Sequence, residues 1–180
     1  LLLHNGSTAG IQAMLMLYAR AGETALLPRN AHLSATNACV VGDLQPVYMP
    51  QTFTADGYGY VAEETILAAL AAHPEAKCLL VTRPDFYGCL TSLKRIVEKA
   101  HAQGCRLVVD EAHGAHLPWM TGLESAGALG ADAWVQSCHK TLPSLTGTAV
   151  LHLRNGADRE RATTLLRLTQ TSSPSFVLMM

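Results

Sequence analysis

Short apolar runs alternate along the chain with longer segments in which apolar residues recur at helical spacing. The runs are typical of buried strands, and the periodic segments are typical of helices that pack one face against a sheet. The pattern predicts helices over residues 7–21, 32–41, 63–72, 92–103 and 157–169. It predicts strands over residues 25–27, 46–49, 78–82, 106–110, 133–137 and 148–153. This succession favours an α/β fold with a mostly parallel sheet flanked by helices.

Glycine and small polar residues mark the expected ends of these elements. Ser7 or Thr8 can cap the first helix, and Gly22 can end it, because glycine is common just beyond a helix. Gly42 is expected to end the second helix in the same way. The polar segment QTFTADGYGYV at residues 51–61 is expected to be a surface loop. The order of the strands in the sheet does not follow from the pattern.

The two ends of the sequence suggest a piece of a larger domain. The chain starts on Leu1 instead of Met, and residues 1–3 already resemble the end of a strand. It finishes on the apolar stretch SSPSFVLMM. We therefore expect residues 1–180 to form a single domain that is incomplete at both ends.

Composition indicates a compact soluble protein. The 180 residues are 49% hydrophobic and 15% charged, which is enough apolar material for a real core. A net charge of -1 gives no general attraction to nucleic acid or to anionic membranes, and no stretch approaches the ~20 apolar residues of a membrane span. The five cysteines occur singly, without a CxxC pair, so we expect reduced thiols in a cytoplasmic protein.

Polar residues that directly follow apolar runs are the candidates for a functional site. In an open α/β sheet, ligands bind beyond the carboxyl ends of the strands. Four segments stand out by this rule: HNGSTAG at 4–10, RNAH at 29–32, DEAHGAH at 110–116 and QSCHKT at 136–141.

The first of these segments has the features of an anion-binding site. Gly6 permits a tight turn, and Ser7 and Thr8 offer hydroxyl groups beside the free N–H groups of a helix start. The helix dipole contributes only roughly 0.3 to 1 kcal/mol, so hydrogen bonds must supply most of the binding energy. The alternative is an ordinary helix cap without a ligand.

Asp110 and Lys140 each follow an apolar strand, where a charge is costly unless it has a partner. A carboxylate at Asp110 needs a cation or several donors, or else it only caps the next turn. Lys140 is one of only four lysines and lies in the small and polar stretch QSCHKTLPSLTGT. A desolvated amine there could become nucleophilic, and the alternative is a surface charge.

These features together resemble the fold-type I pyridoxal-phosphate enzymes. The combination is a phosphate-type turn, an aspartate at a later strand end and a lysine 30 positions beyond it (140 - 110). More narrowly, the strings NGST, RNAHLS, DEAHGAH and SCHKTLPSLTGTAVLHL resemble the major domain of the bacterial Orn/Lys/Arg decarboxylase family over nearly the whole chain. The resemblance implies a large domain like that of aspartate aminotransferase, with pyridoxal 5'-phosphate as the cofactor.

The resemblance also implies roles for individual residues. Lys140 would form the Schiff base with the cofactor, Asp110 would hold the pyridine nitrogen, and His32 would stack on the ring. The remaining cofactor contacts it implies are phosphate ligands at Ser7, Thr8, Ser137 and His139, with His113 near the phenolic oxygen. The three residues implied as catalytic are Lys140, Asp110 and His32, and no metal is expected.

One motif departs from the family. The family often has TNPTYYG where this chain has TRPDFYG at residues 82–88. Arg83 and Asp85 in that segment leave its contact with substrate or cofactor open. The family's amino-terminal region and carboxy-terminal domain, which help to form the substrate pocket, do not occur within residues 1–180.

The activity implied is decarboxylation of a basic amino acid to its amine and carbon dioxide. Lysine, ornithine and arginine are not distinguished by this sequence. The partners implied are the small-molecule substrate and a second copy of the chain in a homodimer, in a cytoplasmic enzyme of polyamine biosynthesis. Another fold-type I enzyme, such as an aminotransferase or a lyase, shares the same cofactor core. A binding module that keeps the fold without catalysis is disfavoured by Lys140.

Two further interpretations have weak support. The string DEAH at residues 110–113 also spells a helicase box, but such an ATPase needs a GxxxxGK[ST] loop, and the sequence contains no Gly-Lys pair. The second is a zinc or iron site, although the spacing HxxH lacks the geometry of HExxH. Its candidate ligands are Asp110, Glu111, His113, His116 and His139.

Overall fold

A mixed sheet of seven strands forms the centre of the protein in a computed structural model that describes residues 1–173, 175 and 177. Most of the terminal apolar stretch, residues 172–180, lies outside these described residues. The strands are β1 (Leu2–Leu3), β2 (Thr24–Pro28), β3 (Gln45–Met49), β4 (Thr52–Phe53), β5 (Gly59–Tyr60), β6 (Cys78–Thr82), β7 (Arg106–Asp110), β8 (Ala133–Ser137) and β9 (Ala149–Leu153). Strands β4 and β5 form a separate pair.

The strand order in the main sheet is β1-β9-β8-β7-β6-β2-β3. The five strands from β3 to β8 in this order are parallel to one another, whereas β9 is antiparallel to both of its neighbours. The inner strands have nearly continuous apolar sequences such as CLLVT because both of their faces are covered. The predicted α/β fold with a mostly parallel sheet is therefore confirmed.

Helices cover both faces of the sheet. They are α1 (Gly6–Tyr18), α2 (Leu33–Gly42), α3 (Glu63–Ala72), α4 (Lys94–Ala102), α5 (Cys138–Thr141) and α6 (Arg159–Thr169), with a 3-10 turn at Leu117–Trp119. One hydrophobic core joins α1, α2 and α6 to one face, and a second joins α3 and α4 to the other. Alternate residues of the same strand serve the two cores, as with Leu79 and Leu80. Within the described residues, no helix is long and apolar enough to cross a membrane.

Most predicted elements lie within three residues of their observed ends, and the first helix shows the largest difference. The predicted helix 63–72 and the strands 78–82, 106–110 and 133–137 have the observed bounds. Helix α1 begins one residue before Ser7, and neither Ser7 nor Thr8 is its cap residue. It ends at Tyr18, and Gly22 instead adopts a φ of 78° in the turn before β2.

The segment 51–61 is not the plain loop that its polar sequence predicts. Strands β4 and β5 pair within it as an antiparallel hairpin. Gly57 makes the turn with a φ of 85°, and the hydroxyl of Thr54 accepts a hydrogen bond from the Tyr58 N–H at 3.0 Å. Strands of two residues leave too little alternation to be detected in the sequence.

Candidate functional site

The segments that follow β6, β7 and β8 line one cavity of about 670 Å³ at the carboxyl edge of the sheet. This volume lies in the range of small-molecule sites, roughly 300 to 1,000 Å³. The cavity brings together all eight residues proposed from the sequence, which are Ser7, Thr8, His32, Asp110, His113, Ser137, His139 and Lys140. The four motifs are far apart in the chain, and the sheet topology places them side by side.

The start of α1 joins the cavity through a contact between two glycines. The Gly6 N–H donates a hydrogen bond of 2.7 Å to the Gly147 carbonyl, which fixes the turn before α1 against the loop before β9. The helix also lies close to the sheet, because a Cβ at Gly10 would be 2.6 Å from Val135 Cγ2. In the described chain, Asn5 makes no side-chain capping bond to this helix, so the N–H groups that follow Gly6 in the first turn remain available to an anion.

Two hydroxyl groups in the cavity wall have no hydrogen-bond partner among the described residues. Thr82 is the last residue of β6 and Ser137 is the last residue of β8. The hydroxyl oxygens of both are buried. A buried polar group left without a partner costs about 1–3 kcal/mol. A ligand with hydrogen-bonding atoms in this cavity would recover that cost.

Asp110 places a buried carboxyl group at the end of β7. It is 5% exposed, and its Oδ1 accepts a hydrogen bond of 3.1 Å from the Ala112 N–H. Burial raises the pKa of Asp110, and the opposing effects of the Ala112 N–H and of the charges on Lys140, His32 and His113 do not cancel it. The carboxylate is therefore under-compensated, and a cationic donor facing it would stabilise its charged form.

Lys140 lies in α5 and contacts His113. Its Nζ is 3.2 Å from His113 Nε2. Burial and then the charge of Lys140 lower the pKa of His113, against the weaker opposite effects of Asp110 and Asp85. The imidazole is therefore neutral near pH 7 and can accept a hydrogen bond from Lys140. The desolvated amine expected from the sequence is not found, since Lys140 is exposed.

Two histidines in the cavity wall have fixed ring orientations. His32 precedes α2 and caps it, with Nδ1 accepting from the Ser34 N–H at 3.2 Å and lying 2.8 Å from the Ser34 hydroxyl. His139 in α5 donates from Nδ1 to the Thr148 carbonyl at 3.0 Å. Neither ring can rotate without losing its hydrogen bond.

The five candidate metal ligands do not form one site. Glu111 turns away from the cavity and is fully buried, with Oε1 accepting from the Ala126 N–H and Oε2 accepting from Gln136 Nε2, each at 2.7 Å. The described part of the chain holds no group of three or more His, Cys, Asp or Glu side chains placed to bind a metal ion.

Several cavity residues were missed in the sequence. Thr82 ends an apolar run, so the rule that identified Asp110 also applies to it. The hairpin residues Gln51 and Phe53 and the pair Phe86 and Tyr87 line the cavity as well. No local pattern signals that the hairpin folds over the sheet edge, whereas Phe86 and Tyr87 lie in the segment TRPDFYG, whose contact with substrate or cofactor the sequence left open.

Comparisons with known proteins identify the family of this chain. A family model described as the Orn/Lys/Arg decarboxylase major domain matches residues 1–180. An uncharacterized protein of Bacillus subtilis, YaaO, is 39% identical over 98% of this chain and 38% of its own length. Arginine decarboxylases of Halalkalibacterium halodurans and Bacillus subtilis are 36% and 35% identical, each over 97% of this chain and 36% of their own length. The chain thus spans less than two-fifths of the length of each of these relatives.

Solved structures show the same fold. The Francisella novicida lysine decarboxylase LdcF superposes with a TM-score of 0.80 and 22% identity, over 99% of this chain and 27% of that chain. The constitutive lysine decarboxylase of Escherichia coli gives a TM-score of 0.77 with the same identity and coverage. An N-succinyldiaminopimelate aminotransferase from Mycobacterium tuberculosis gives 0.70, with 18% identity over 93% of this chain and 44% of that chain. The fold is that of the fold-type I enzymes.

We predict that Asp110→Asn stabilises the protein when no cofactor is bound. The pKa of Asp110 is higher in the folded than in the unfolded chain, so its ionisation lowers the free energy of unfolding as the pH rises through the raised pKa. Thermal unfolding at pH 7 should therefore occur at a higher temperature in the variant, by about 2–4 °C for each 1 kcal/mol gained. The difference should vanish below the ordinary pKa of an aspartic acid.

Asp132→Asn is the matched control, because Asp132 is a buried carboxylate with partners. It accepts hydrogen bonds from the Leu107 N–H at 2.9 Å and from Arg106 Nη1 at 3.0 Å, and His101 Nε2 lies 2.7 Å away. Because Arg106 and His101 are partly exposed, replacing the carboxylate should lower the free energy of unfolding by roughly 1.5–3 kcal/mol. An Asp110→Asn protein that unfolds at a lower temperature than the parent at pH 7 would contradict the prediction.

Proposed function

This chain belongs to the Orn/Lys/Arg decarboxylase family, and from that premise we propose that it binds pyridoxal 5'-phosphate in the cavity and decarboxylates a basic amino acid. The observation that carries the proposal is that one cavity contains Lys140, Asp110 and the Ser137 hydroxyl, which has no hydrogen-bond partner in the described part of the chain. An amine, a buried carboxylate and unsatisfied hydroxyl groups fit the aldehyde, the ring nitrogen and the phosphate of this cofactor.

The phosphate group would lie between the start of α1 and the end of β8. Ser7, Thr8 and Ser137 would donate their hydroxyl groups, together with the free N–H groups of α1. The ring of His139 already donates from Nδ1 to Thr148. His139 would therefore donate to phosphate from Nε2 only as an imidazolium, or else through its backbone N–H.

The ring would lie between His32 and the floor of the cavity. Asp110 would accept a hydrogen bond from the protonated ring nitrogen, which supplies the cation that its buried carboxylate lacks. His32 would stack on the ring, in the orientation that Ser34 fixes. His113 would lie near the phenolic oxygen.

Lys140 would bind the cofactor covalently and would later transfer a proton to the substrate. When bound, pyridoxal phosphate supplies an electron sink for the electron pair that carbon dioxide leaves behind. We assign Lys140 Nζ as the amine that is displaced by substrate and then returns a proton to the substrate Cα. His113 Nε2, at 3.2 Å, would orient that amine.

The substrate we propose is lysine, ornithine or arginine, and the product is the corresponding amine of polyamine biosynthesis. We further propose that residues 1–180 are part of the cofactor-binding major domain of a longer chain, acting as a homodimer in the cytoplasm. The five free thiols, three of them buried, suit a reducing compartment.

We predict that the full-length protein that contains residues 1–180, supplied with pyridoxal phosphate, releases carbon dioxide from at least one of the three basic amino acids. Lys140→Ala and Asp110→Ala should each lower turnover a hundredfold or more, at about 1.4 kcal/mol per factor of ten. Carbon dioxide and amine are measured together with keto acid. Formation of keto acid without release of carbon dioxide would contradict the decarboxylase proposal and would indicate an aminotransferase.

We predict that borohydride reduction of the protein with pyridoxal phosphate attaches the cofactor to Lys140. The amine is exposed to the cavity and is the only lysine that lines it within the described residues. Peptide mass mapping locates the label. A label on Lys77, Lys94 or Lys99 with none on Lys140 would overturn the proposed attachment.

We predict that Ser137→Ala weakens pyridoxal phosphate binding by roughly 10- to 100-fold, since hydrogen bonds to charged groups are worth about 1.5–3 kcal/mol. Its stability without cofactor should not fall, because Ser137 Oγ has no partner to lose among the described residues. The control is Ser144→Ala, which removes an exposed hydroxyl bonded to Thr148 at 2.8 Å. Equal affinities of the two variants in a spectroscopic titration would remove Ser137 from the phosphate site.

A further inference from the structure

The segment TRPDFYG carries two buried charges that turn to different neighbours. Arg83 donates to the Thr91 carbonyl at 3.0 Å and to the Glu124 carbonyl at 2.9 Å. Its Nη1 is also 3.8 Å from Glu111 Oε1, which gives the guanidinium a carboxylate partner outside the cavity. Among the described residues, Arg83 thus pairs with Glu111 and makes no ion pair with Asp85.

Asp85 is held by neutral donors only. Its Oδ1 accepts from the Tyr87 N–H at 3.0 Å and from the Cys89 N–H at 2.9 Å, and its Oδ2 accepts from the Tyr58 hydroxyl. Among the described residues, no Lys, Arg or His lies within ion-pair distance of it. The side chain lines the cavity and is 7% exposed, so its negative charge is buried without a cation.

Aromatic rings surround this carboxylate at the rim of the cavity. The rings of Tyr58 and Tyr87 are 4.6 Å apart, and those of Phe86 and Tyr87 are 5.3 Å apart. Phe86 is 81% exposed and Tyr87 is 72% exposed, so both rings are open to a ligand that enters the cavity. Aromatic faces attract cations, and a planar guanidinium stacks on them better than a compact, strongly hydrated ammonium does.

His113 connects the proposed reaction centre at Lys140 with the aromatic rings of Phe86 and Tyr87 at the rim of the cavity. Asp110 and Asp85 are the carboxylates of this cavity within the described chain, and the proposed function assigns Asp110 to the cofactor. His113 lies between Lys140 and the aromatic rim, with Nε2 at 3.2 Å from Lys140 Nζ and its ring 6.0 Å from that of Phe86. A substrate whose amine is at Lys140 can thus extend its side chain toward Asp85.

We infer that Asp85, Phe86 and Tyr87 form the subsite for the cationic end of the substrate, and that this subsite selects a guanidinium and hence arginine. The inference rests on the proposed function, since it takes Lys140 as the point where the substrate amine binds. The carboxylate supplies the charge, and the rings supply flat surfaces for the guanidinium plane.

The test compares arginine with citrulline, in which a neutral urea of similar shape replaces the guanidinium. Dissociation constants are measured by calorimetric titration in the Lys140→Ala background with pyridoxal phosphate bound, so that no turnover occurs. With Asp85 present, arginine should bind roughly 10- to 100-fold more tightly than citrulline. Asp85→Asn should weaken the binding of arginine by that factor and leave the dissociation constant of citrulline nearly unchanged.

The control is Asp56→Asn, which removes the same charge from an exposed position on the neighbouring hairpin. It should leave the ratio of the two constants unchanged. In Asp85→Asn, the side-chain oxygen can still accept the hydrogen bonds from the two backbone N–H groups. Thermal unfolding verifies that this variant folds. If it does not fold, Phe86→Leu on the exposed rim should lower the ratio about 2- to 5-fold through loss of cation–π attraction.

An unchanged ratio in Asp85→Asn, or in Phe86→Leu where that variant is used, overturns the subsite. If the protein releases carbon dioxide from arginine while that ratio is unchanged, the subsite fails and the decarboxylase proposal stands. If the ratio collapses as expected but no basic amino acid releases carbon dioxide, the cation subsite stands and the decarboxylase proposal fails.

Discussion

The parallel register of β6, β7 and β8 is the constraint on which the candidate site depends. Thr82 is the register partner of Asp110, and Asp110 pairs with Val135, two residues before the end of β8. The three strands therefore end at the same edge of the sheet, and polar residues lie at the end of each strand or directly after it. A shift of one residue in either pairing would turn the side chain at that strand end to the opposite face of the sheet.

Antiparallel pairing supplies the other wall. Strand β9 runs back along β8 and pairs with β1, so that the turn at Gly6 reaches the loop at Gly147. The start of α1 then lies next to the end of β8, although the two are more than a hundred residues apart in the chain. The close approach at Gly10 permits this, because a larger side chain there would push the helix off Val135.

The sequence predicts those parts of the fold and site that depend on local patterns. Buried parallel strands have continuous apolar runs, which is why strands such as 78–82 and 106–110 were placed with their observed ends. Polar residues after those runs then indicated Asp110 and Lys140. The strand order, the hairpin at 52–60 and the exposure of Lys140 depend on contacts between distant segments, and a single sequence carries no local trace of them.

The buried charges of this protein separate into two groups that local sequence does not distinguish. Glu111 and Asp132 have cationic partners as well as hydrogen bonds, and they join strands and loops away from the cavity. Asp110 and Asp85 are buried with neutral donors at hydrogen-bond distance, and both line the cavity. Folding alone gains little from an uncompensated carboxylate, and a cationic ligand in the cavity would offset its cost. Asp110 and Glu111 are adjacent in the chain yet fall in opposite groups, so a buried carboxylate with a cationic partner is distinguished from one without by its contacts in the fold, and not by its residue type or its place in the sequence.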